Sequence, residues 1–350
     1  MSEFPQVDPG TPWVRPPNPQ DEAAERVARD DTVDEPTKID QIAEIRRWFR
    51  GDNEAIPAYL GSEMDVATAV EKIAKPIEEA YSSADYGRKD ATTEPDPATA
   101  DLPSTESQLW ELWYSVLHAA KKIPWEADAA QQEKLLALVQ ALKARPNPPR
   151  PARFEALKGK EWVLGSETVW SRLLMLGPSA RETWNDSCGC GAGWLIPEQH
   201  AWINVNAFVA RLTATGTHNF GLYGVWVLRD ALEQKLGGDG HHHPAPVLVQ
   251  RHLLLTIASI WIKIAGSYMA AERVKYNVNL PKDTQVDLAA RGRKLPWDGK
   301  NRDTLLLCTA RWEFWAGRFE QEAQDQELST GVRGCARESA ENIRRLLAPT

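Results

Sequence analysis

The sequence predicts an all-α protein, a single multi-helix bundle with long proline-rich loops and a disordered N-terminal tail. Two observations predict this class. Apolar residues recur at the three- and four-residue spacing of one helix face through most of the chain. No segment shows the apolar–polar alternation of a half-buried strand, and runs of β-branched residues are short. With 350 residues, 42% of them hydrophobic, the chain is long enough to build a substantial core.

The N-terminal segment predicts a tail. Residues 1–37 contain seven prolines and the acidic run ARDDTVDEP. Such a composition buries too little apolar area to offset the entropy lost on ordering. We therefore expect residues 1–37 to be a disordered, acidic and proline-rich tail, and residues 38–350 to form one all-helical domain.

The first helices follow this tail. The segment 38–50 places Ile39, Ile42 and Phe49 on one face, and the segment 65–83 is helical with Pro76 inside it, where we expect a break or kink. Residues 84–103 have the composition of an internal linker.

The strongest helical signal opens with two capping candidates, Ser104 and Thr105. The segment 104–124 carries apolar residues at helical spacing up to Pro124, and the segment 128–145 does the same. Their short connection predicts an antiparallel pair. The remaining helices are predicted over 166–176, 179–185, about 198–214, 219–236, 246–272, 302–324 and 330–348.

One predicted helix is long enough to suggest a membrane span. The stretch 253–271 is almost wholly apolar, but Lys263 lies at its centre, and a lysine there costs about 2.5–3.5 kcal/mol in a bilayer. We therefore expect the most buried helix of a soluble bundle and no membrane association.

Four stretches together resemble a known family. They are LWELWYSVLHAAKKIPWE, KLLALVQALKARPNP, WINVNAFVARLTATGTHNFGLYGVWVLRDALE and IWIKIAG. The pattern is similar to that of fungal proteins known only as a domain of unknown function, with a family-like core over about 104–268. The resemblance implies a fungal origin and a helical fold, and it implies no catalytic residue.

Charge and cysteine content exclude several classes of function. The net charge is −8, and the basic run 291–302 is interrupted by Asp298, so no patch is suited to nucleic acid. Four cysteines do not make a disulfide scaffold, and the first residues show no charged start followed by an apolar stretch. These features predict a cytoplasmic location, with a nuclear one left open.

Two clusters have the residue types of a metal or redox site. His241, His242 and His243 follow Asp239 in a glycine-rich loop, but three adjacent histidines cannot converge on one tetrahedral ion. Cys188 and Cys190 lack the second cysteine pair of a structural zinc site. We therefore expect no metal and no cofactor.

Polar residues within apolar helix faces are the remaining candidates. Asn206 could fix helix packing by bonding a neighbouring carbonyl, or it could orient a ligand among tryptophans. Lys263 could extend outwards, pair with Asp230 or Glu233, or act as a base.

The fifteen tryptophans of the chain suggest mainly core packing and, alternatively, an aromatic-lined cavity. Those on or beside apolar helix faces are Trp110, Trp113, Trp170, Trp226, Trp261, Trp312 and Trp315. The candidate ligand-binding set between the central helices is Trp202, Asn206, Tyr223, Trp226, Arg229, Trp261 and Lys263.

Three functions fit these observations. Without a recognisable catalytic motif, the sequence favours an interaction or scaffold role with an unknown protein partner. The alternative is a small-molecule binding protein that uses the tryptophan-lined pocket. An enzyme is the least favoured, because no catalytic motif is present, but it stays possible since catalytic sites also assemble from distant residues that no motif reveals.

Overall fold

The computed structural model describes residues 18–82, 103–149, 168–237, 242–243, 245–272 and 309–348. Within these ranges the chain forms twelve α-helices and a 3₁₀ turn, and the only β-type pairing there is an isolated bridge between Cys188 and Ala192. The all-α class is therefore confirmed for the part of the chain that is described.

The helices pack as two compact units, whereas the sequence predicted one domain over 38–350. The central unit is Asp34–Ser187, and the terminal unit combines Met1–Val33 with Cys188–Thr350. A helix buries its apolar stripe most readily against its neighbours in sequence, so a chain of this length divides rather than enlarging one core.

The tail prediction is wrong for residues 18–37. Helix α1 (Pro19–Ala28) and the start of α2 (Glu35–Arg46) lie there. The side chain of Asn18 accepts a hydrogen bond from the backbone of Asp21, and a proline stands in the first turn of each helix, where its missing N–H costs nothing. Pro19 and Pro36, with the acids Asp21, Glu22 and Glu35 of the first turns, are therefore helix-start signals. Residues 1–17 lie outside the described residues.

The central unit is organised around one helix, α5. Its helices after α2 are α3 (Ala55–Leu60), α4 (Val66–Ser82), α5 (Thr105–Lys122), α6 (Ala129–Ala144) and α7 (Leu176–Thr183), with a 3₁₀ turn at Trp184–Asp186. Helix α5 packs against all five of the others. It begins where predicted, because the Ser104 hydroxyl caps the backbone of Ser107. Helix α4 runs through Pro76 without a break.

The helix predicted over 166–176 is wrong for residues 168–175, of which 169–175 form turns, and only Leu176 of the predicted segment is helical. The side-chain oxygen of Asn147 accepts hydrogen bonds from the backbone of Trp170 and of Ser171, so those donors are held by a distant side chain. Leu173 and Met175 then take left-handed backbone angles, which a continuous right-handed helix does not allow. Helix α7 begins only after this turn. Most of the predicted 84–103 linker lies outside the described residues.

The terminal unit is built on the long apolar helix. Its helices after α1 are α8 (Ile196–Ala214), α9 (Gly221–Leu232), α10 (Val247–Glu272), α11 (Thr309–Glu322) and α12 (Thr330–Leu347). Helix α10 packs against α8, α9 and α12. By length and composition its residues Val247–Ala271 could cross a membrane, but 72% of that apolar window is buried in the protein, as the predicted core helix requires.

The crossing of α9 and α10 depends on a glycine. A Cβ atom at Gly224 would lie 2.7 Å from Cε3 of Trp261 and 2.8 Å from the sulfur of Met269. Only a residue without a side chain therefore lets α9 approach α10 this closely.

We expect Gly224→Ala to destabilise the terminal unit by about 1–3 kcal/mol, because the added methyl group must displace a buried indole. The matched control is Gly334→Ala in α12, where a Cβ would meet nothing within 4 Å. The control should gain about 0.5–1 kcal/mol, since alanine favours a helix over glycine. Denaturant unfolding of both variants measures the two changes, and equal effects would show that Gly224 has no packing role.

Candidate functional site

Three of the predicted site residues meet in the core of the terminal unit. The side-chain amide of Asn206 donates to the backbone carbonyl of Trp202 over 2.9 Å, and its oxygen accepts from the indole of Trp261 over 3.1 Å. Asn206 is fully buried. Its amide therefore joins α8 to α10 and supplies the partner that a buried indole N–H needs.

The other predicted residues lie on α9 and at the surface of α10. The rings of Tyr223 and Trp226 lie 4.9 Å apart, and Arg229 pairs with its neighbour Asp230 over 3.1 Å. Lys263 is exposed. The tryptophan-lined pocket and the pairing of Lys263 with Asp230 or Glu233 stay predictions, and the carboxylate of Glu233 binds a different cation, Arg311, over 2.7 Å.

The loop that follows the two cysteines is tied to α8 by a buried carboxylate. The buried carboxylate of Glu198 accepts from the backbone of Gly193 and of Leu195, each over 2.9 Å, which fixes the loop after the two free thiols Cys188 and Cys190. In the described ranges, no group of three or more metal-binding side chains could hold an ion. His241 lies outside those ranges.

The central unit contains a cavity that the sequence did not reveal. Its volume is about 510 Å³, and its walls come from α2, the loop 50–54, α3, α5 and the start of α6. Apolar side chains form much of the wall, among them Ile56, Leu60, Ala119 and Ile123.

Three charged or polar side chains meet at the wall of this cavity. One carboxylate oxygen of Asp40 is 2.6 Å from Nε2 of His118, and the other accepts from Nζ of Lys122 over 2.9 Å. His118 and Lys122 are four residues apart on α5, so they project from the same helix face towards Asp40 on α2. We call these three residues the cavity triad.

The environment of the triad fixes its protonation. Burial lowers the pKa of His118 to about 4 despite the opposing effect of the Asp40 carboxylate, so the imidazole is neutral at pH 7. Burial alone would raise the pKa of Asp40, but hydrogen bonds from His118 and Lys122 outweigh it and lower that pKa to about 2. An ionised carboxylate only accepts hydrogen bonds, so Nε2 of His118 carries the proton and Nδ1 is left as an acceptor.

The loop 50–54 is held tightly against α5. A Cβ at Gly51 would lie 2.2 Å from the hydroxyl oxygen of Ser115, and the φ of Gly51 is +62°, so glycine is required there on both counts. The same hydroxyl accepts from the backbone of Asn53 over 3.0 Å, and the carboxylate of Glu111 accepts from the backbone of Asp52. Burial and the nearby Asp52 carboxylate raise the pKa of Glu111.

A buried ion pair holds the two residues that precede this loop. Nζ of Lys121 is 2.6 Å from a carboxylate oxygen of Asp186, which also accepts from the backbone of Phe49 over 3.2 Å. The Lys121 ammonium lies 4.6 Å from the ring centre of Trp48. Burial raises the pKa of Asp186 against the lowering effect of Lys121. These contacts fix residues 48 and 49 just before the cavity wall.

Sequence reasoning missed the cavity triad for a definable reason. Asp40 and His118 are 78 residues apart and belong to no motif. The one available signal was His118 on the largely apolar face of α5, since a buried imidazole needs a partner.

A comparison with protein families supplies the assignment of this chain. The model of a family described as protein of unknown function (DUF3632) matches residues 113–319, more than half of the chain. The chain belongs to the DUF3632 family. The DUF3632 match includes His118, Lys122, Asn206 and Trp261, and it begins after Asp40. Comparisons of the chain with curated proteins and with solved structures gave no match.

The titration of His118 tests the geometry of the triad. Its pKa of about 4 lies below the value of about 6.5 in an unfolded chain, so the unfolded state takes up the proton first. The neutral His118 therefore makes its full contribution to the free energy of unfolding above about pH 6.5. That contribution falls by about 3 kcal/mol as the pH drops to about 4.

NMR of the imidazole signals should show a midpoint near pH 4 for His118, identified by its loss in His118→Gln. The free energy of unfolding of the same variant should change less between pH 6.5 and pH 4 than that of the wild type. A His118 midpoint near 6.5 would contradict the buried, neutral imidazole.

Proposed function

We propose that the central unit binds a small organic molecule in the 510 Å³ cavity, with Asp40, His118 and Lys122 as its polar anchors. The observation that carries this proposal is the triad itself, in which a buried neutral imidazole, a carboxylate and an ammonium group line one cavity.

The size and the lining support this function. Cavities of about 300–1,000 Å³ accommodate small organic ligands, and such sites combine apolar walls with a few fixed polar groups. Here Ile56, Leu60 and Ile123 supply apolar wall, and the triad supplies the polar groups.

The polar groups of the site are also joined to one another and to the protein by hydrogen bonds and ion pairs. The triad is joined by two short hydrogen bonds, and the adjacent loop is held by Ser115 and by the Lys121–Asp186 pair. A site whose side chains are already ordered loses less entropy on binding, which favours affinity.

The functions predicted from the sequence remain open beside this one. The interaction or scaffold role stays a prediction. A pull-down that recovers partners, together with sedimentation of the whole chain, tests it. Ligand binding in the terminal unit near Trp202, Asn206 and Trp261 likewise stays a prediction. An enzymatic role stays the least favoured.

Screening a fragment set by thermal unfolding tests binding in the cavity. A fragment at about 100 times its dissociation constant should add about 2.7 kcal/mol to the stability of the central unit. The shift should disappear in Ala119→Trp, which fills the cavity wall, and persist in Ala130→Trp, which places the same side chain at an exposed site on α6.

Leu60→Trp provides a second blocking variant, because Leu60 is only half-buried and tolerates a larger side chain more easily. If no fragment shifts the wild type, or if the shifts survive both blocking variants, the proposed function is wrong.

A further inference from the structure

Two thiols stand close together in sequence at the boundary where the terminal unit resumes. Cys188 and Cys190 are both in the thiol form, Cys190 is exposed and Cys188 is half-buried. They belong to the terminal unit, so the proposed function of the central unit does not use them. Residues two positions apart have Cα atoms at most about 7 Å apart, and a disulfide joins Cα atoms about 4.4–6.8 Å apart. A bend between the two cysteines therefore brings them within the range of a disulfide.

The chain does bend between them. Gly189 has a φ of +87°, a left-handed angle that glycine adopts without strain. Its backbone N–H donates to the carbonyl of Ala192 over 2.9 Å, and a bridge pairs Cys188 with Ala192. Residues 188–192 therefore form a closed turn, with Cys188 at its base and Cys190 near its tip. We call this segment the cysteine turn.

The rest of the terminal unit holds the cysteine turn on both sides. The backbone N–H of His243 donates to the carbonyl of Gly189 over 3.3 Å, and the imidazole of His243 lies 3.5 Å from a carboxylate oxygen of Asp21 on α1. On the other side, the buried carboxylate of Glu198 holds the backbone of Gly193. Because the turn is anchored, the two sulfur atoms explore a small volume, which raises the concentration of one thiol seen by the other.

The surroundings of the cysteine turn favour a bond between the two sulfurs over a metal ion. A structural zinc site needs four converging ligands. Among the residues that the structure describes, no group of three or more histidine, cysteine or acidic side chains could hold an ion. Two thiols without further ligands keep the chemistry of a dithiol, which exchanges with disulfides.

We infer that Cys188 and Cys190 form a reversible disulfide by exchange with a low-molecular-weight disulfide such as glutathione disulfide. The thiolate of Cys190 attacks one sulfur of that molecule, breaks its S–S bond and releases the first glutathione thiolate. The thiolate of Cys188 then attacks the sulfur of Cys190 and displaces the second one. The protein loses two electrons and two protons, which the two released glutathione thiols carry. Cys190 attacks first because it is the more exposed of the two.

Mass spectrometry of the full chain tests the bond. The reduced protein is treated with glutathione disulfide at about pH 8, where thiolates form, blocked with N-ethylmaleimide and digested with trypsin. Because trypsin cleaves after lysine and arginine, both cysteines fall in one peptide, 182–211. We expect this peptide to lose the mass of two hydrogen atoms and to regain it when reduced glutathione is added in excess. The control Cys308→Ser/Cys335→Ser, which removes the other two cysteines of the chain, should behave in the same way.

Single variants test the roles of the two thiols. In Cys188→Ser the second step is blocked, so glutathione should stay on Cys190 as a mixed disulfide. In Cys190→Ser only the half-buried Cys188 can attack, so its mixed disulfide should form at least about tenfold more slowly. Both substitutions replace residues that solvent already reaches, and circular dichroism checks that each variant is folded.

The equilibrium with glutathione tests the contribution of the cysteine turn itself. At matched ratios of oxidised to reduced glutathione, we expect the folded chain to favour the disulfide at least about tenfold more than the chain unfolded in urea, because only the folded chain anchors the turn. Equal equilibrium constants in the two states would overturn the role of the turn.

The mass of the peptide 182–211 also decides against the inference in defined cases. It is overturned if the wild type retains glutathione on this peptide without losing two hydrogen atoms, or if Cys188 and Cys190 link to Cys308, to Cys335 or to another chain. Equal rates in the two single variants would overturn the assignment of Cys190 as the attacking thiol.

Discussion

The packing of both units depends on hydrogen bonds from buried indole N–H groups, although Nε1 of the buried Trp312 has no partner among the described residues. Five other buried tryptophans donate to partners distant in sequence: Leu174 for Trp113, Glu78 for Trp170, His243 for Trp194, Asn206 for Trp261 and Glu233 for Trp315. Burying each ring contributes about 4–6 kcal/mol of apolar transfer, while the N–H fixes which neighbour it packs against. In each unit these tryptophans therefore stabilise the fold by burial. Each also fixes the position of a neighbouring segment through its indole hydrogen bond.

Buried charges are used in a similar way. Arg311 and Glu233 are both fully buried and are joined by two hydrogen bonds, and Glu233 also accepts from Trp315. Removing one member of such a pair leaves an uncompensated charge and costs about 3–5 kcal/mol. In the central unit, Lys121 and Asp186 form the corresponding pair, and because Asp186 also holds the backbone of Phe49, a packing interaction sets the position of the cavity wall.

The predictable part of the structure follows local rules. Helices α5, α8, α9 and α10 lie close to their predicted positions, because each has a continuous apolar face that sequence periodicity reveals. The sequence also showed that Asn206 needs hydrogen-bond partners, since an amide on an apolar helix face is buried. The hydrogen-bond partner Trp261 lies 55 residues away, so the spacing of residues along the sequence could not identify it. The cavity triad was hidden for the same reason, because Asp40 is ordinary on its own helix and becomes notable only beside His118.

The sequence by itself determined that the chain is helical, which faces of the helices are apolar, and that many tryptophans are buried, since these follow from periodicity and from the cost of exposing large rings. Only the tertiary structure decided that the helices pack as two units, that residues 18–37 contribute helices, and that a carboxylate, an imidazole and an ammonium group line one cavity. The physical reason is that helix formation is governed by neighbours within four residues, whereas the hydrogen bonds of buried polar groups are satisfied across the whole fold.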